Sequence, residues 1–133
     1  MAKYPYYIPS SGVYKPWIKV HLGYKKSHKI TSIPIVALID SGADVCFCSE
    51  DIGIWLGISL NKRSQYTFTT ANKTKFTAIK ETITLYVCNQ QYQCPFYFSG
   101  TLPLETPIIL GQLGFFDHFK IIFNLQYREF EVV

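Results

Sequence analysis

The sequence predicts an all-β protein, mostly strand with two short helices. Three observations carry the prediction. First, Trp17-Ile18-Lys19-Val20-His21-Leu22 alternates apolar and polar residues, as a half-buried strand does. Second, the chain from Gln65 to Val87 and again from Gln93 to Phe98 is rich in Thr, Ile, Val, Tyr and Phe, with polar turn residues between the runs. Third, only two stretches carry apolar residues at helical spacing, one opening at Ser49-Glu50-Asp51 and one from Gln112 to Phe119.

Composition narrows the class further. The 133 residues fit one domain, with a Tyr/Pro-rich N-terminal arm over 1–16 and a body over 17–133. At 48% apolar and 17% aromatic there is enough to build a core, and the 17% of charged residues is too few for a disordered chain. No apolar run reaches membrane-spanning length, and the first residues, MAKYPYYIPSSG, lack a secretory h-region. The expected setting is therefore cytoplasmic and reducing, without a membrane partner. The net charge of +4 is dispersed, apart from basic knots at Lys25-Lys26 with His28-Lys29 and at Lys62-Arg63. Both knots read as solvated turns, and no nucleic-acid module accompanies them.

The four cysteines, Cys46, Cys48, Cys88 and Cys94, match no zinc spacing, so neither metal nor cofactor is expected. Cys46 and Cys48 share one strand face as small apolar groups. Cys88 and Cys94 lie opposite each other across a hairpin if its loop has three residues, which would permit a disulfide, although one is disfavoured in a reducing compartment.

In order along the chain, prolines bar residues 1–16 from a central strand and make them an extended arm. His21 falls on the polar phase of the first strand, as a surface histidine would. Ile30 to Ile39 forms the second strand, with Pro34 marking an edge or bulge. Asp40 to Asp44 is a loop and Val45 to Cys48 a short strand. A helix then begins, with Ser49 as its cap, Glu50 and Asp51 at the positive end of its dipole, and Gly57 as its stop. Ile52, Trp55 and Leu56 would be its buried face. Tyr66–Thr70 and Phe76–Val87 are strands around the polar tip Ala71-Asn72-Lys73-Thr74, with Ile79, Ile83, Leu85 and Val87 turned inward. After the strand to Phe98 and a Pro-containing loop comes the apolar run Pro107-Ile108-Ile109-Leu110-Gly111. The second helix would bury Leu113, Phe116 and Phe119. Ile121–Phe123 and Glu129–Val132 are the last strands.

The residue with most to explain is Asp40. A run of apolar residues ends abruptly in this carboxylate, followed by Ser41-Gly42-Ala43. An ionised carboxylate at the end of a buried strand needs hydrogen bonds or a use. Asp-Ser-Gly alone is more often a turn cap. A serine-hydrolase role for Ser41 fails because no G-x-S-x-G elbow surrounds it. Asp44 reads as a structural hydrogen-bonding neighbour, and Asp117 and His118 as surface residues.

Two signatures coincide: Leu38-Ile39-Asp40-Ser41-Gly42-Ala43 and, about seventy residues later, Ile108-Ile109-Leu110-Gly111 followed by Gln112-Leu113-Gly114-Phe115-Phe116-Asp117. Together they resemble the retropepsin-like aspartic proteases, in their cellular or bacterial form, over residues 17 to 132. The resemblance implies a small closed β-barrel and an active site made by a homodimer. Each copy would supply Asp40 as a catalytic carboxylate. Ser41 would lock the two loops together, Gly42 would let the backbones approach, and Ala43 would complete the loop. Ile109, Leu110 and Gly111 would support it from behind. Tyr66 to Ile79 matches the flap, with Thr70, Ala71, Asn72 and Lys73 at its substrate-binding tip. The chain ends would build part of the dimer interface, and the partner would be a polypeptide substrate hydrolysed without a metal. The chain departs from the pattern in having Ser for the commoner Thr and no glycine between Gly57 and Gly100, where Asn72 is the residue suited to a left-handed turn. The second reading is the same fold kept for dimerisation or peptide capture.

Overall fold

A computed structural model describes residues 2–7, 14–60 and 65–133. Eleven strands and one short helix appear among these residues. They are β1 (Ala2–Pro5), β2 (Trp17–Tyr24), β3 (Lys29–Ile30), β4 (Ile35–Ile39), β5 (Cys46–Ser49), α1 (Glu50–Trp55), β6 (Gln65–Thr69), β7 (Lys75–Val87), β8 (Gln90–Ser99), β9 (Ile108–Leu110), β10 (Ile121–Asn124) and β11 (Glu129–Val132).

Six strands close into a barrel. The hydrogen-bonded order is β2-β4-β9-β5-β8-β7, and β7 returns to β2 through the pairs His21–Tyr86, Leu22–Leu85 and Gly23–Thr84. Closure leaves no edge inside the ring, so its main-chain polar groups are satisfied by neighbours. Inside lie Val20, Leu22, Ala37, Ile83, Leu85, Phe96, Ile108 and Leu110, each at most 1% exposed. Burying each large apolar side chain contributes about 1.5–3 kcal/mol.

The long hairpin follows its sequence closely. Ile79, Ile83, Leu85 and Val87 all face inward, and Cys88 and Asn89 make a two-residue turn with φ of 53° and 60°. That turn sets the register Val87–Gln90 and places Cys94 opposite Ile83, not opposite Cys88. The three-residue loop that would have brought the two cysteines together is therefore absent, and all four cysteines are free thiols.

The N-terminal arm is partly a strand. Ala2–Pro5 pairs antiparallel with β11 at the edge of a separate sheet, β1-β11-β10. Tyr4 stacks on the buried Phe130 at 5.3 Å. Proline is tolerated in β1 because an edge strand need not donate on both sides. Residues 8–13 of the arm and the knot Lys62-Arg63 lie outside the described residues.

Several expectations need correction. The strand expected over Ile30 to Ile39 is two pieces, since Ser32 to Pro34 leave the ladder. Ser49 occupies the N-cap of α1 without a side-chain capping bond. Trp55 is half-exposed, and Gly53 takes the inward position because a Cβ there would come within 2.8 Å of the Phe98 ring. Gln112–Phe119 is a chain of turns, not a helix. Gly114 adopts φ of +114°, and Phe116 and Asp117 donate back to Gly111 and Gln112, five residues earlier. Phe115 and Phe119 are buried there, whereas Leu113 is exposed. Asp117 caps the turn, its Oδ1 accepting from the Gly114 N–H at 3.0 Å, and His118 stacks on Tyr92 at 3.8 Å. His21 is half-buried, with Nδ1 2.8 Å from the Thr31 carbonyl.

Candidate active site

β9 lies between β4 and β5, running parallel to the first and antiparallel to the second. The Asp40 loop joins β4 to β5, so it must cross over the end of β9. This threading places Gly111 directly beneath it. A Cβ on Gly111 would fall 2.2 Å from the Val45 carbonyl oxygen and 2.6 Å from that of Ala43. Only glycine permits that approach.

The loop is pinned by main-chain bonds on both sides. The Asp40 N–H donates to Leu110 O at 3.0 Å, and the Ala43 N–H closes the turn on Asp40 O at 3.1 Å. The N–H groups of Gln112 and Leu113 donate to the carbonyls of Ala43 and Asp44 at 2.8 and 2.9 Å. Asp44 thus serves the loop through its main chain. The Gln112 side chain adds a bond that the motif did not advertise: its Nε2 donates to Ser41 O at 2.8 Å. The available signal was only that Gln112 follows Gly111.

The Asp40 carboxylate is half-buried, so the fully buried acid suggested by the apolar strand is not what one chain presents. Oδ1 accepts the Gly42 N–H at 2.9 Å. That bond turns the side chain toward the exposed surface of Ser41 and Gly42. Asp40 is the one acid of the Asp40–Ala43 turn.

Sulfur supports the loop from below. The Gly111 N–H donates to Cys46 Sγ at 3.4 Å, and Cys94 Sγ lies 3.4 Å from Gly114 O. A hydrogen bond from Cys94 holds the Cys46 thiol below its ordinary pKa, and the same bond, with burial, pushes Cys94 up.

Above the loop lies the β6–β7 hairpin. Its underside pairs Phe68 with Phe76, and both rings meet Phe47 of β5, at 5.0 and 5.6 Å. An open cavity of about 680 Å³ separates tip from floor. Thr70, Ala71 and Asn72 line it from above, and Ala43, Phe47 and Ile109 from below. The tip is built by Thr70, whose Oγ1 bonds Asn72 Oδ1 and sits 3.1 Å from Thr74 O. The left-handed residue is Lys73, with φ of +66°, not Asn72. Asn72 instead uses its side chain to bond the turn.

The fold matches solved structures. The chain superposes on a retropepsin-like aspartic protease from Rickettsia conorii with a TM-score of 0.67, covering 100% of this chain and 99% of that one at 16% identity. The fold is retropepsin-like. A second neighbour is EIAV protease complexed with the inhibitor HBY-793, at a TM-score of 0.52 and 14% identity over 79% of this chain and 88% of that one. No protein-family model and no curated protein sequence matches the chain.

The retropepsin-like barrel brings together Asp40, Ser41, Gly42 and Ala43 with Ile109, Leu110 and Gly111. Of these, Ala43 and Ile109 line the cavity, across from Thr70, Ala71 and Asn72; the expected Lys73 is not in its lining, where Thr74, Lys75 and Phe76 stand instead. No group of three metal-ligating side chains occurs among the described residues, and no helix there is long and apolar enough to cross a membrane.

Proposed function

We propose that the protein is an aspartic endopeptidase whose active site forms when two copies bring their Asp40 carboxylates together. The observation that carries this reading is the placement of Asp40. It stands half-exposed at a rigidly pinned turn, beside a cavity roofed by a hairpin, with its Oδ1 bonded to a main-chain N–H and the loop surface open.

The chemistry follows from two carboxylates at close range. They cannot both ionise without strong repulsion, so the pair retains one proton. The ionised member accepts a proton from a water, which attacks the peptide carbonyl carbon. The protonated member donates to the carbonyl oxygen as the tetrahedral species forms. Proton transfer to the amide nitrogen then lets the C–N bond break. The Gly42 N–H fixes the rotamer of Asp40, so each carboxylate keeps one oxygen for the main chain and one for the reaction. The dyad titrates as a unit.

The Asp40→Asn variant tests the proposal. The amide oxygen still accepts the Gly42 N–H, so folding is retained, and peptide-library cleavage is expected to fall by at least about a thousandfold. Undiminished cleavage by that variant removes the assignment. The second reading is peptide capture without turnover. It is favoured by the tip, where Thr70 and Asn72 bind the turn internally instead of leaving a glycine hinge. Asp40→Asn distinguishes the two, because capture survives it.

A further inference from the structure

A second concavity lies at the other end of β4. Thr31, Ser32, Ile33, Ile35, Ile52 and Trp55 enclose about 290 Å³ between the β3–β4 connection and α1. Its walls are apolar and exposed: Ile33 is 73% and Trp55 50% accessible. β4 separates this groove from Asp40 by about 17 Å, at about 3.3 Å per residue from Ile35. It is therefore distinct from the candidate active site.

The rim is basic. The turn Lys25–Lys29 holds four exposed basic residues, Lys25, Lys26, His28 and Lys29. It is fastened to the end of α1: Ser27 Oγ donates to Leu56 O at 2.6 Å, and Lys29 Nζ donates to Trp55 O at 3.1 Å while lying 5.4 Å from the indole centroid. Gly57, with φ of +87°, allows the turn to come close, since a Cβ there would meet that of Ser27 at 3.2 Å. Capping of a helix end explains Lys29. It does not explain why Ile33 and Trp55 stay in water beside a concavity with the Lys29 ammonium on its border. Glu50 and Asp51, on the same helix, line a neighbouring depression with Ile52, Ser99 and Pro103.

We infer that this groove is a docking site for a polypeptide segment carrying an apolar anchor flanked by carboxylates. The anchor fills the space between Ile33, Ile35 and Trp55, and the carboxylates meet the Lys25–Lys29 turn. Apolar patches with polar rims mark interaction surfaces, and tryptophan is a frequent anchor in them. The volume, near the lower end of the usual range of about 300–1,000 Å³ for ligand pockets, suits one or two side chains. The charge of the rim selects the acidic flanks.

The protein offers its own reporter. Trp17 is 2% exposed and Trp55 is half-exposed, so added quencher reaches essentially Trp55 alone. The full chain carrying Asp40→Asn is titrated with a synthetic peptide bearing Leu-Phe-Leu between glutamates, and with the same peptide bearing glutamines. The expected result is protection of Trp55 from acrylamide by the acidic peptide, with binding at least about tenfold weaker for the glutamine peptide. Ile33→Asp, a surface change that leaves the core intact, is expected to abolish the protection. Equal binding of both peptides, protection that survives Ile33→Asp, or no protection at all overturns the inference. Protection by anionic vesicles without peptide assigns the groove to a membrane, and protection that grows with protein concentration alone assigns it to a second copy. Either result also overturns it. Binding is read without cleavage, so its failure is separate from failure of the protease reading.

Discussion

At the scale of single residues, the two glycines of the candidate site differ in kind. A Cβ on Gly111 collides with two main-chain carbonyls that cannot retreat, whereas the nearest atom to a Cβ on Gly42 is Asp40 Oδ1 at 3.2 Å. Gly111→Ala is expected to lower stability by about 3 kcal/mol, and Gly42→Ala by no more than about 0.5 kcal/mol. Urea denaturation of the two variants measures both. A loss of cleavage in Gly42→Ala with stability intact would locate the role of that glycine at contact with a second chain. Cys48 sets a different prediction. It is fully buried, and burial pushes its thiol pKa well above the ordinary value of 9.0. Above that value the unfolded chain has released the proton while the folded one still holds it. Stability is therefore complete below about pH 9 and falls as pH rises beyond it, by about 1.4 kcal/mol per pH unit for this group. Cys48→Ala, compared with the parent by denaturation between neutral pH and pH 10, is expected to lessen the alkaline slope.

At the scale of elements, what was legible in the sequence was whatever depends on local pattern. Val87 and Leu85 alternate with polar residues, so β7 and its inward face could be read directly. The Asp40 and Gly111 motifs stood out because an apolar run ending in a turn is a local event. The spacing of Leu113, Phe116 and Phe119 imitates a helix over Gln112–Phe119, while the deciding feature is the left-handed φ of Gly114, held by the Asp117 side chain. The half-exposure of Trp55 is not legible from spacing, because Gly53 takes the inward position against the Phe98 ring, a contact made only by the fold. The hairpin tip adds a test. Lys73 holds φ of +66° without the glycine that would carry it freely. Lys73→Gly is expected to raise stability by up to about 1 kcal/mol, read as a shift of the urea midpoint. Unchanged or lowered stability would mean that added freedom in the unfolded tip outweighs the relieved backbone.

At the scale of the whole molecule, the proposed chemistry makes an assembly claim that one chain cannot satisfy. A barrel that presents one carboxylate has half of an acid–base pair, and the missing half is chemically identical to the one present. Activity must then behave as a property of pairs. Specific activity is expected to fall on dilution, and sedimentation should follow the same concentration dependence. Mixing separates this from simple dilution. When parent and Asp40→Asn chains exchange freely in equal amounts, pairing at random leaves about one quarter of the dimers with two carboxylates. Total activity is then expected to drop to about half that of the parent kept alone at the same dimer-saturating amount, because half of the parent chains are trapped with an inert partner. If each chain worked by itself, adding the variant would leave activity unchanged. The mixing curve therefore decides between a site completed by a second copy and one contained in a single barrel, and it does so without any knowledge of the natural substrate.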